Sequence, residues 1–299
     1  MERDIFIISV YCLVARIMQS VEKSCNFRTR GFPPKLTDAE VITIEICGEF
    51  FKLHEDTEIY NYFRRHYPVF FPNLPSRTTF VRQSANLWQA KVMCQSLLVN
   101  ISEQNADSVQ SIDTMPLPVC TYTRGGFRDK RFPSAAQFGH CAAKKMDYYG
   151  FKLGIRIARS GMITHFPLLS ARSHDVNHLG SLIEGFAGTV PADKGFIDQY
   201  QQELWMKSRI AQVVTPIRKN MESSPEQVKL VKKTNYWRKL VETVNSQLTE
   251  RFQISKIKVK DLWHYQNRIF RKILSHTVGV FLNMQIGNKP LQLALLNDF

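Results

Sequence analysis

Residues 1 to 105 carry apolar positions at helical spacing, separated by short polar or proline-rich connections. The segment from Thr37 to Glu40 has the form of a capping box, which opens a helix. The inner face of that helix follows at once: Val41, Ile44, Cys47 and Phe51. A second helix is predicted near 57–65, and Ser76 is a candidate cap for a long helix that reaches Leu98. The pattern predicts an α-helical N-terminal domain over residues 1–105.

After residue 106 the spacing of apolar positions changes to that of strands alternating with helices. Every second residue from Phe151 to Ile157 is apolar, and Ser160-Gly161 is a turn that lets 162–169 return as a hairpin. Further strands are predicted at 108–113, before Asp193 and at 211–214, with helices at 176–186 and 237–252. This order predicts a mixed α/β (α+β) domain over 106–299, a sheet flanked by helices. An amphipathic helix within 261–285 is expected to pack on that sheet.

Three acids stand in contexts that suit a shared site. Asp113 ends the predicted strand 108–113, Asp193 follows the strand before it, and Glu242 lies on the predicted helix 237–252. At 100° per residue, Glu242 flanks the apolar stripe of that helix together with Arg238, whereas Glu250 projects into solvent. The alternative for Arg238 and Glu242, four residues apart, is an ordinary ion pair on a helix surface.

Carboxylates gathered from distant segments suit one chemistry in particular. Two hard divalent cations held by carboxylate oxygens activate the attacking oxygen and neutralise the leaving oxygen of a phosphodiester. Asp113, Asp193 and Glu242 are therefore the candidate catalytic and metal-binding residues, with Mg²⁺ or Mn²⁺, two ions, as the expected cofactor.

The flanking residues strengthen this hypothesis. Ser111 to Thr114, Ala192 to Phe196 and Arg238 to Leu248 resemble the three catalytic blocks of bacterial insertion-sequence DDE transposases, in particular the insertion sequence 982 family. The resemblance implies a ribonuclease H-like catalytic domain, DNA cleavage and strand transfer, and a homodimer on double-stranded DNA, namely terminal inverted repeats and target DNA. It also implies that Arg238 and Lys194 contact DNA. The broader group carries Tyr and Lys where this chain has Asn235 and Thr249.

Net charge agrees with a polyanionic partner. The 299 residues carry a formal charge of +14. Residues 121–160 hold nine Lys or Arg against two acids, and residues 218–260 hold eleven against four, so each segment contributes +7. A solvated basic face is the alternative interpretation.

Candidate DNA contacts lie in two segments outside the catalytic blocks. The loop 123–132 contains two adjacent glycines, whose amides are placed to follow a DNA backbone, and four basic residues: Arg124, Arg128, Lys130 and Arg131. Arg77 and Arg82 occupy the first turns of a predicted helix, where a helix-turn-helix protein reads DNA. A surface loop and a purely structural bundle are the respective alternatives.

Other features narrow the class of protein. Six cysteines are scattered without a Cys-x-x-Cys pair, as in a reducing compartment. The apolar run from Ile5 to Ala15 is shorter than the roughly 20 residues that span a bilayer, so we expect a cytoplasmic, nucleoid-associated protein without a signal peptide. His174 and His178 are spaced as metal ligands on a helix, but a helix N-terminus at Ser173 or Asp175 is the simpler interpretation.

Two other functions remain open from the sequence. One is a ribonuclease H-like nuclease that cuts DNA without joining it. The other is a DNA-binding repressor or domesticated remnant that retains the basic surface and has lost the chemistry.

Overall fold

A computed structural model of the chain describes residues 1–25, 27, 31–129, 131–132, 135–142, 145–208, 210–218, 221 and 224–296. The chain divides into two compact units. The first, the helical unit, contains Met1–Ser102 and Leu248–Phe299, and the second, the sheet unit, contains Glu103–Gln247. Helices and a sheet together make this a mixed α+β protein.

Six long helices build the helical unit: α1 Arg3–Ser24, α2 Asp38–Phe50, α3 Asp56–His66, α4 Arg77–Asn86, α5 Trp88–Ile101 and α9 Leu262–Gln285. The predicted capping box is confirmed, since the Thr37 hydroxyl accepts from the Glu40 amide and the Glu40 carboxylate accepts from the Thr37 amide. Ser76 caps a helix as predicted. That helix ends at Asn86, however, so the single long helix predicted from Ser76 is in fact α4 followed by α5.

The C-terminal helix α9 belongs to the helical unit, which corrects the expectation that it packs on the sheet. It packs against α2, α4 and α5 of the helical unit. Three basic residues of α9, Arg268, Arg271 and Lys272, are buried. Their charges are balanced by Glu49, Asp56 and Glu55, because an unpaired charge in a protein interior costs several kcal/mol, on the order of 3 to 5.

Helix α1 extends beyond the apolar run from Ile5 to Ala15 at both ends. Its 22 residues are long and apolar enough to cross a membrane by length and composition. Such a helix is weak evidence for a membrane protein, since core helices pass the same test. Phe6, Val10 and Val14 are buried, and α1 packs against α2 and α5, as a core helix does.

The sheet unit is organised around a long antiparallel pair. Strand β1 (Ser111–Thr121) pairs with β3 (Met146–Ile157), with Asp113 opposite Ile155. Three short strands also pair with β3: β2 Gln137–Cys141, β4 Ile163–His165 and β5 Leu168–Ser170. The hairpin from β3 into β4 is confirmed, and Gly161 in its turn has a φ of +84°.

Asp113 lies near the beginning of its strand and not at its end, which corrects the predicted strand 108–113. The strand continues through Pro116 and Pro118 to Thr121. Proline cannot donate to a sheet and is tolerated on an edge, and among the described strands only β3 pairs with this stretch. Met115 and Leu117, both buried, keep the alternation of apolar positions.

A parallel pair extends the unit on the side of Asp193. Strand β6 (Gly188–Pro191) runs parallel to β7 (Ala211–Val214). A parallel bridge joins Val109 to Thr189, and the Gln110 amide donates to the Thr189 carbonyl. The end of β6, directly before Asp193, is thereby placed beside the start of β1, directly before Asp113.

Three helices cover these strands: α6 Leu179–Ile183, α7 Gln199–Lys207 and α8 Pro225–Ser246. Helix α8 begins with a capping box at Ser224 and continues into a π-helical turn, Gln247–Arg251. It packs against β1, β6 and β7. Buried residues of the strands, α6 and the segments that follow α6 and β6 form a core: Ile112, Leu179, Leu182, Ile183, Phe186, Val190, Ala192, Phe196 and Ala211.

Candidate active site

Asp113 is the most enclosed acid of the candidate site. It is half-buried on β1, and its Oδ1 accepts a hydrogen bond of 2.8 Å from the amide of Thr114. Its Oδ2 accepts one of 2.8 Å from the side-chain amide of Asn245. Asn245 lies on α8, three residues after Glu242, so one helix supplies both a partner for Asp113 and a further acid. Sequence analysis had not singled out Asn245.

Asp193 and Glu242 are more exposed and meet through a shared cation. Asp193 begins the 3-10 turn Lys194–Phe196 after β6, and Glu242 lies on α8. The Nη1 atom of Arg238 lies 3.6 Å from Asp193 Oδ1 and 3.2 Å from Glu242 Oε1. Arg238 therefore does more than form a helix-surface pair, because its guanidinium connects two acids from separate segments.

The electrostatic environment of Asp113 indicates that it lies near Asp193 and Glu242. The pKa of Asp113 is raised to about 7, first by burial and then by the negative charges of Asp193, Asp175 and Glu242, against the hydrogen bond from the Thr114 amide, which lowers it. Since such influence decays with distance, these carboxylates lie near one another. The three sequence-predicted acids thus come together from β1, the turn after β6, and α8.

Asp175 is a neighbour that the sequence analysis assigned to another role. Its Oδ1 accepts hydrogen bonds from the Thr114 hydroxyl at 2.7 Å and from Lys152 Nζ at 2.9 Å. Lys152 also donates to the Ser173 carbonyl at 2.8 Å. A Cβ placed on Gly195 would lie 3.6 Å from Asp175 Oδ2, so Asp175 stands between the Asp113 strand and the Asp193 turn. Lys152, one of two cations on β3, was the available signal in the sequence.

The histidines near this segment do not form a metal site. A helical turn does begin at Asp175, one of the two predicted N-termini: the 3-10 turn Asp175–His178 has His174 at its N-cap position and no side-chain cap. The His178 ring shares a hydrogen bond with the Ser170 carbonyl, its Nε2 lying 3.1 Å from that oxygen.

The donor set suits hard cations in kind. Carboxylate oxygens from Asp113, Asp193, Glu242 and the adjacent Asp175 are the ligands that Mg²⁺ and Mn²⁺ prefer. Among the residues that the structure describes, no three His, Cys, Asp or Glu side chains are grouped tightly enough to hold a metal ion. Arg238 supplies the positive charge between two of these acids instead. The residues fit the cofactor by chemistry, and the acids share a site without forming a closed cage.

Basic side chains flank the acids on the turn after β6. Lys194 is exposed directly after Asp193, and its carbonyl accepts from Arg218 Nη2 at 3.2 Å. Arg218 had not been predicted, although it lies in the basic segment 218–260. Positive groups on this turn are available to a polyanion that approaches the carboxylates.

The other predicted DNA contacts occupy different environments. Arg124 and Arg128 are exposed. Arg131 instead donates hydrogen bonds within the protein, to Asp129 and to the Val119 carbonyl. Lys130 lies outside the described residues. In the helical unit, Arg82 is exposed, and the exposed Arg77 donates to the Thr57 hydroxyl at 2.9 Å.

One comparison with known proteins gives a match. A family model described as a transposase DDE domain matches residues 103–261, which include all three acids, Asp175 and Arg238. No curated protein and no solved structure matches the chain. Because the matched region covers more than half of the chain, the protein belongs to the family of transposases with a DDE domain.

Proposed function

We propose that the protein is a transposase that catalyses metal-dependent DNA cleavage and strand transfer at the ends of an insertion sequence. The observation that carries the proposal is the convergence of Asp113, Asp193 and Glu242 from three separate elements, with the pKa of Asp113 raised by burial and by the charges of the other two. Placing such charges together destabilises the fold, and a bound divalent cation offsets that cost.

In this proposal Asp113, Asp193 and Glu242 hold two Mg²⁺ or Mn²⁺ ions. When bound, the ions activate the attacking oxygen and neutralise the leaving oxygen of the phosphodiester. Asn245 orients Asp113 by donating to its Oδ2. Arg238 balances Asp193 and Glu242, and Lys194 contacts the DNA backbone together with the neighbouring Arg218.

A ribonuclease H-like fold is the finer proposal for the sheet unit. Its support is the antiparallel β1–β3 pair beside the parallel β6–β7 pair, joined by the bridge from Val109 to Thr189. The insertion sequence 982 family is the finer proposal for descent. At one departure from the broader group, the Asn235 Oδ1 accepts from Arg238 Nε at 3.4 Å, so Asn235 helps to place the arginine.

The wider organisation is proposed on the same basis. The N-terminal helices of residues 1–105 contact the terminal DNA through Arg77 and Arg82, while 106–299 carries the catalytic function. The protein acts as a homodimer on double-stranded DNA, with inverted repeats and target DNA as its partners, in the cytoplasm of a bacterial cell.

The test is a nicking and joining assay with the purified full chain, Mg²⁺ or Mn²⁺, and duplex DNA that carries the ends of the element. Asp113→Asn, Asp193→Asn and Glu242→Gln should each lower the rate at least 10³-fold, an order of magnitude typical of lost electrostatic stabilisation of a transition state. Glu250→Gln is the matched control, since Glu250 is an exposed acid just beyond α8 and should retain activity.

Three outcomes contradict the proposal in different ways. Full activity in all three acid variants would show that Asp113, Asp193 and Glu242 are not the catalytic residues. Nicked DNA without joined products identifies a nuclease. Salt-sensitive DNA binding without any metal-dependent cleavage identifies a DNA-binding remnant.

A further inference from the structure

The two glycines of the basic loop have a packing role. A Cβ on Gly125 would lie 2.5 Å from the Cβ of Tyr149 and 2.8 Å from Cε1 of Phe138. Gly126 has a φ of +67°, in the left-handed region that favours glycine. The sequence had suggested that these residues follow a DNA backbone. In the structure they press the loop against two aromatic rings of β2 and β3.

Hydrogen bonds within the loop, and one to the sheet, order its described residues. Arg128 Nη1 donates to the Thr123 carbonyl at 2.9 Å, and the Asp129 amide donates to the Gly126 carbonyl at 3.0 Å. The buried Asp129 accepts from Arg131 Nε at 2.8 Å, and Arg131 also donates to the carbonyl of Val119 on β1. The loop is therefore ordered by its own contacts and presents its outer side chains in a defined geometry.

Three aromatic side chains of this region face solvent. Phe127, at the tip, is 92% exposed, Tyr122 is 54% exposed and Phe138 is 40% exposed. The rings of Tyr122 and Phe138 are 4.7 Å apart, and the guanidinium of Arg128 lies 5.5 Å from the centroid of Phe127. We name these three residues the aromatic tab. An ordered loop that holds a phenylalanine almost wholly in water gains nothing for the fold from that ring.

The chemistry around the aromatic tab defines its ligand. Exposed Arg124 and Arg128 attract phosphate, and exposed rings offer π-faces for stacking. In paired duplex DNA both faces of each base are already stacked on neighbours, so a protein ring gains a face only from a base that has left the stack. Cations beside aromatic rings are the combination by which proteins hold single-stranded nucleic acid.

We propose that the aromatic tab binds an unpaired base of the DNA substrate, with Phe127 as the stacking side chain. This inference rests on the proposed function, because it takes DNA as the substrate. Asp113 and Thr121, the last residue of β1 before the loop, are eight positions apart, which is about 25 Å at the rise of a strand. The bound base therefore lies in the flank of the DNA and is not the nucleotide that reacts.

The experiment measures binding of the full chain to two probes without divalent metal. One is a 30-base-pair duplex, and the other is the same duplex with one unpaired 2-aminopurine, whose fluorescence is quenched by stacking. The wild type should bind the bulged probe about 5 to 100 times more tightly and quench it, the range expected for stacking of one base. Phe127→Ala should lose the preference and the quenching while binding the paired duplex as before.

Two variants serve as controls. Phe127→Trp keeps a π-face and should retain the preference. Tyr200→Ala removes a ring on α7 that is 76% exposed and should behave as the wild type. The proposal that the aromatic tab binds an unpaired base is overturned if Phe127→Ala keeps the full preference for the bulged probe. It is also overturned if the wild type binds both probes equally. A Phe127→Ala variant that changes only the molecular mass in solution also overturns it and identifies a protein interface.

Failure of the proposed function looks different. A wild type that binds neither probe at low salt is not a DNA-binding protein at all, and both proposals then fall. If the wild type distinguishes the probes but does not nick DNA with Mg²⁺, the proposed catalytic function is wrong and base binding by the aromatic tab still stands.

Discussion

At the scale of single residues, the candidate site contains side chains whose placement lowers the stability of the fold. Asp113 is half-buried among other acids, which raises its pKa to about 7. The side-chain oxygen of its partner Asn245 is buried and has no hydrogen-bond partner in the described part of the chain. Strained or unsatisfied groups of this kind gather at sites that bind something else.

The raised pKa of Asp113 predicts a pH-dependent gain in stability for Asp113→Asn. The unfolded chain releases this proton near pH 4, its ordinary value, whereas the folded chain holds it to about pH 7. The wild type therefore loses stability as the pH rises from 4 to 7, and the Asn variant does not. The free oxygen of Asn245 accepts from the new amide once its own amide group rotates. Without metal, the variant should be more stable by about 2 to 4 kcal/mol at pH 8 and nearly equal near pH 4.

Urea unfolding at the two pH values measures this difference. Glu203→Gln, which alters an exposed ion pair on α7, should show no such dependence on pH. Equal stability of the wild type and Asp113→Asn at pH 8 would show that the ionised carboxylate of Asp113 does not destabilise the fold.

The hydrogen bond of Asp175 predicts an energetic coupling between the strand of Asp113 and the 3-10 turn that begins at Asp175. Its hydrogen bond with the Thr114 hydroxyl is half-buried, at 2.7 Å. In a double-mutant cycle, Thr114→Val and Asp175→Ala should couple by about 0.5 to 3 kcal/mol in unfolding experiments, as expected for groups within one network. Additive effects would show that the contact does not link the two segments.

At the scale of elements, α9 is held by an ion network that crosses the helical unit. Glu49 of α2 accepts from Lys272 at 2.8 Å and from Arg271 Nε at 2.7 Å, and all three side chains are almost wholly buried. Burial opposes ionisation of Glu49, but the charges of Lys272 and Arg271 outweigh it and lower its pKa to about 2. Arg271 and Arg268 lower the pKa of Asp56 to about 2 in the same way, again against burial.

This network predicts a large loss of stability for Glu49→Gln. The change leaves Lys272 and Arg271 buried without their main counter-charge, which costs about 3 to 5 kcal/mol. Since a depressed folded pKa gives stability that disappears on acidification, the wild type should lose stability as the pH falls from about 4.5 to 2. The variant should lose less over the same interval.

Thermal unfolding across this pH range measures both effects. Glu2→Gln, an exposed acid before α1 without a side-chain cap, is the matched control and should change stability by less than about 0.5 kcal/mol. A Glu49→Gln variant as stable as the wild type at pH 7 would mean that the buried pairs contribute no net stability.

At the scale of the whole molecule, the helical unit is assembled from both ends of the chain. Residues 248–299 return to residues 1–102, while the sheet unit is the continuous segment between them. The family match from 103 to 261 covers the sheet unit and the start of the returning segment. The C-terminal helix is therefore part of the N-terminal unit in space, although it is remote in sequence.

Removal of residues 248–299 should consequently unfold the helical unit. The truncated chain leaves Glu45, Glu49 and Asp56 buried without the cations of α9 and exposes the apolar faces of α2 and α5. Circular dichroism and limited proteolysis should show loss of helix and rapid cleavage within residues 1–102. A chain that ends at Ile286 keeps α9 and is the control. Native protection of residues 1–102 in the truncated chain would contradict this assembly.

Short-range features of this protein were determined by its sequence alone. The capping box at Thr37 and the hairpin through Gly161 follow from local backbone rules, and both are present. Helical periodicity set Glu242 beside the apolar stripe of α8, and the charge pattern marked the basic segments. The resemblance to DDE transposases needed only short motifs, and the family match supports it at that level.

Tertiary structure decided the features that depend on partners distant in the chain. Nothing local distinguishes the buried cations Arg271 and Lys272 from surface residues, because their partners lie about 220 positions earlier, on α2 and at the start of α3. The sequence suggested that Asp175 begins a helix, and in the fold it also accepts a hydrogen bond from Thr114. The sequence suggested that the glycines of the basic loop contact a DNA backbone, and in the fold they pack against aromatic rings. Electrostatic and steric energies depend on distance in space, and only the folded chain sets those distances.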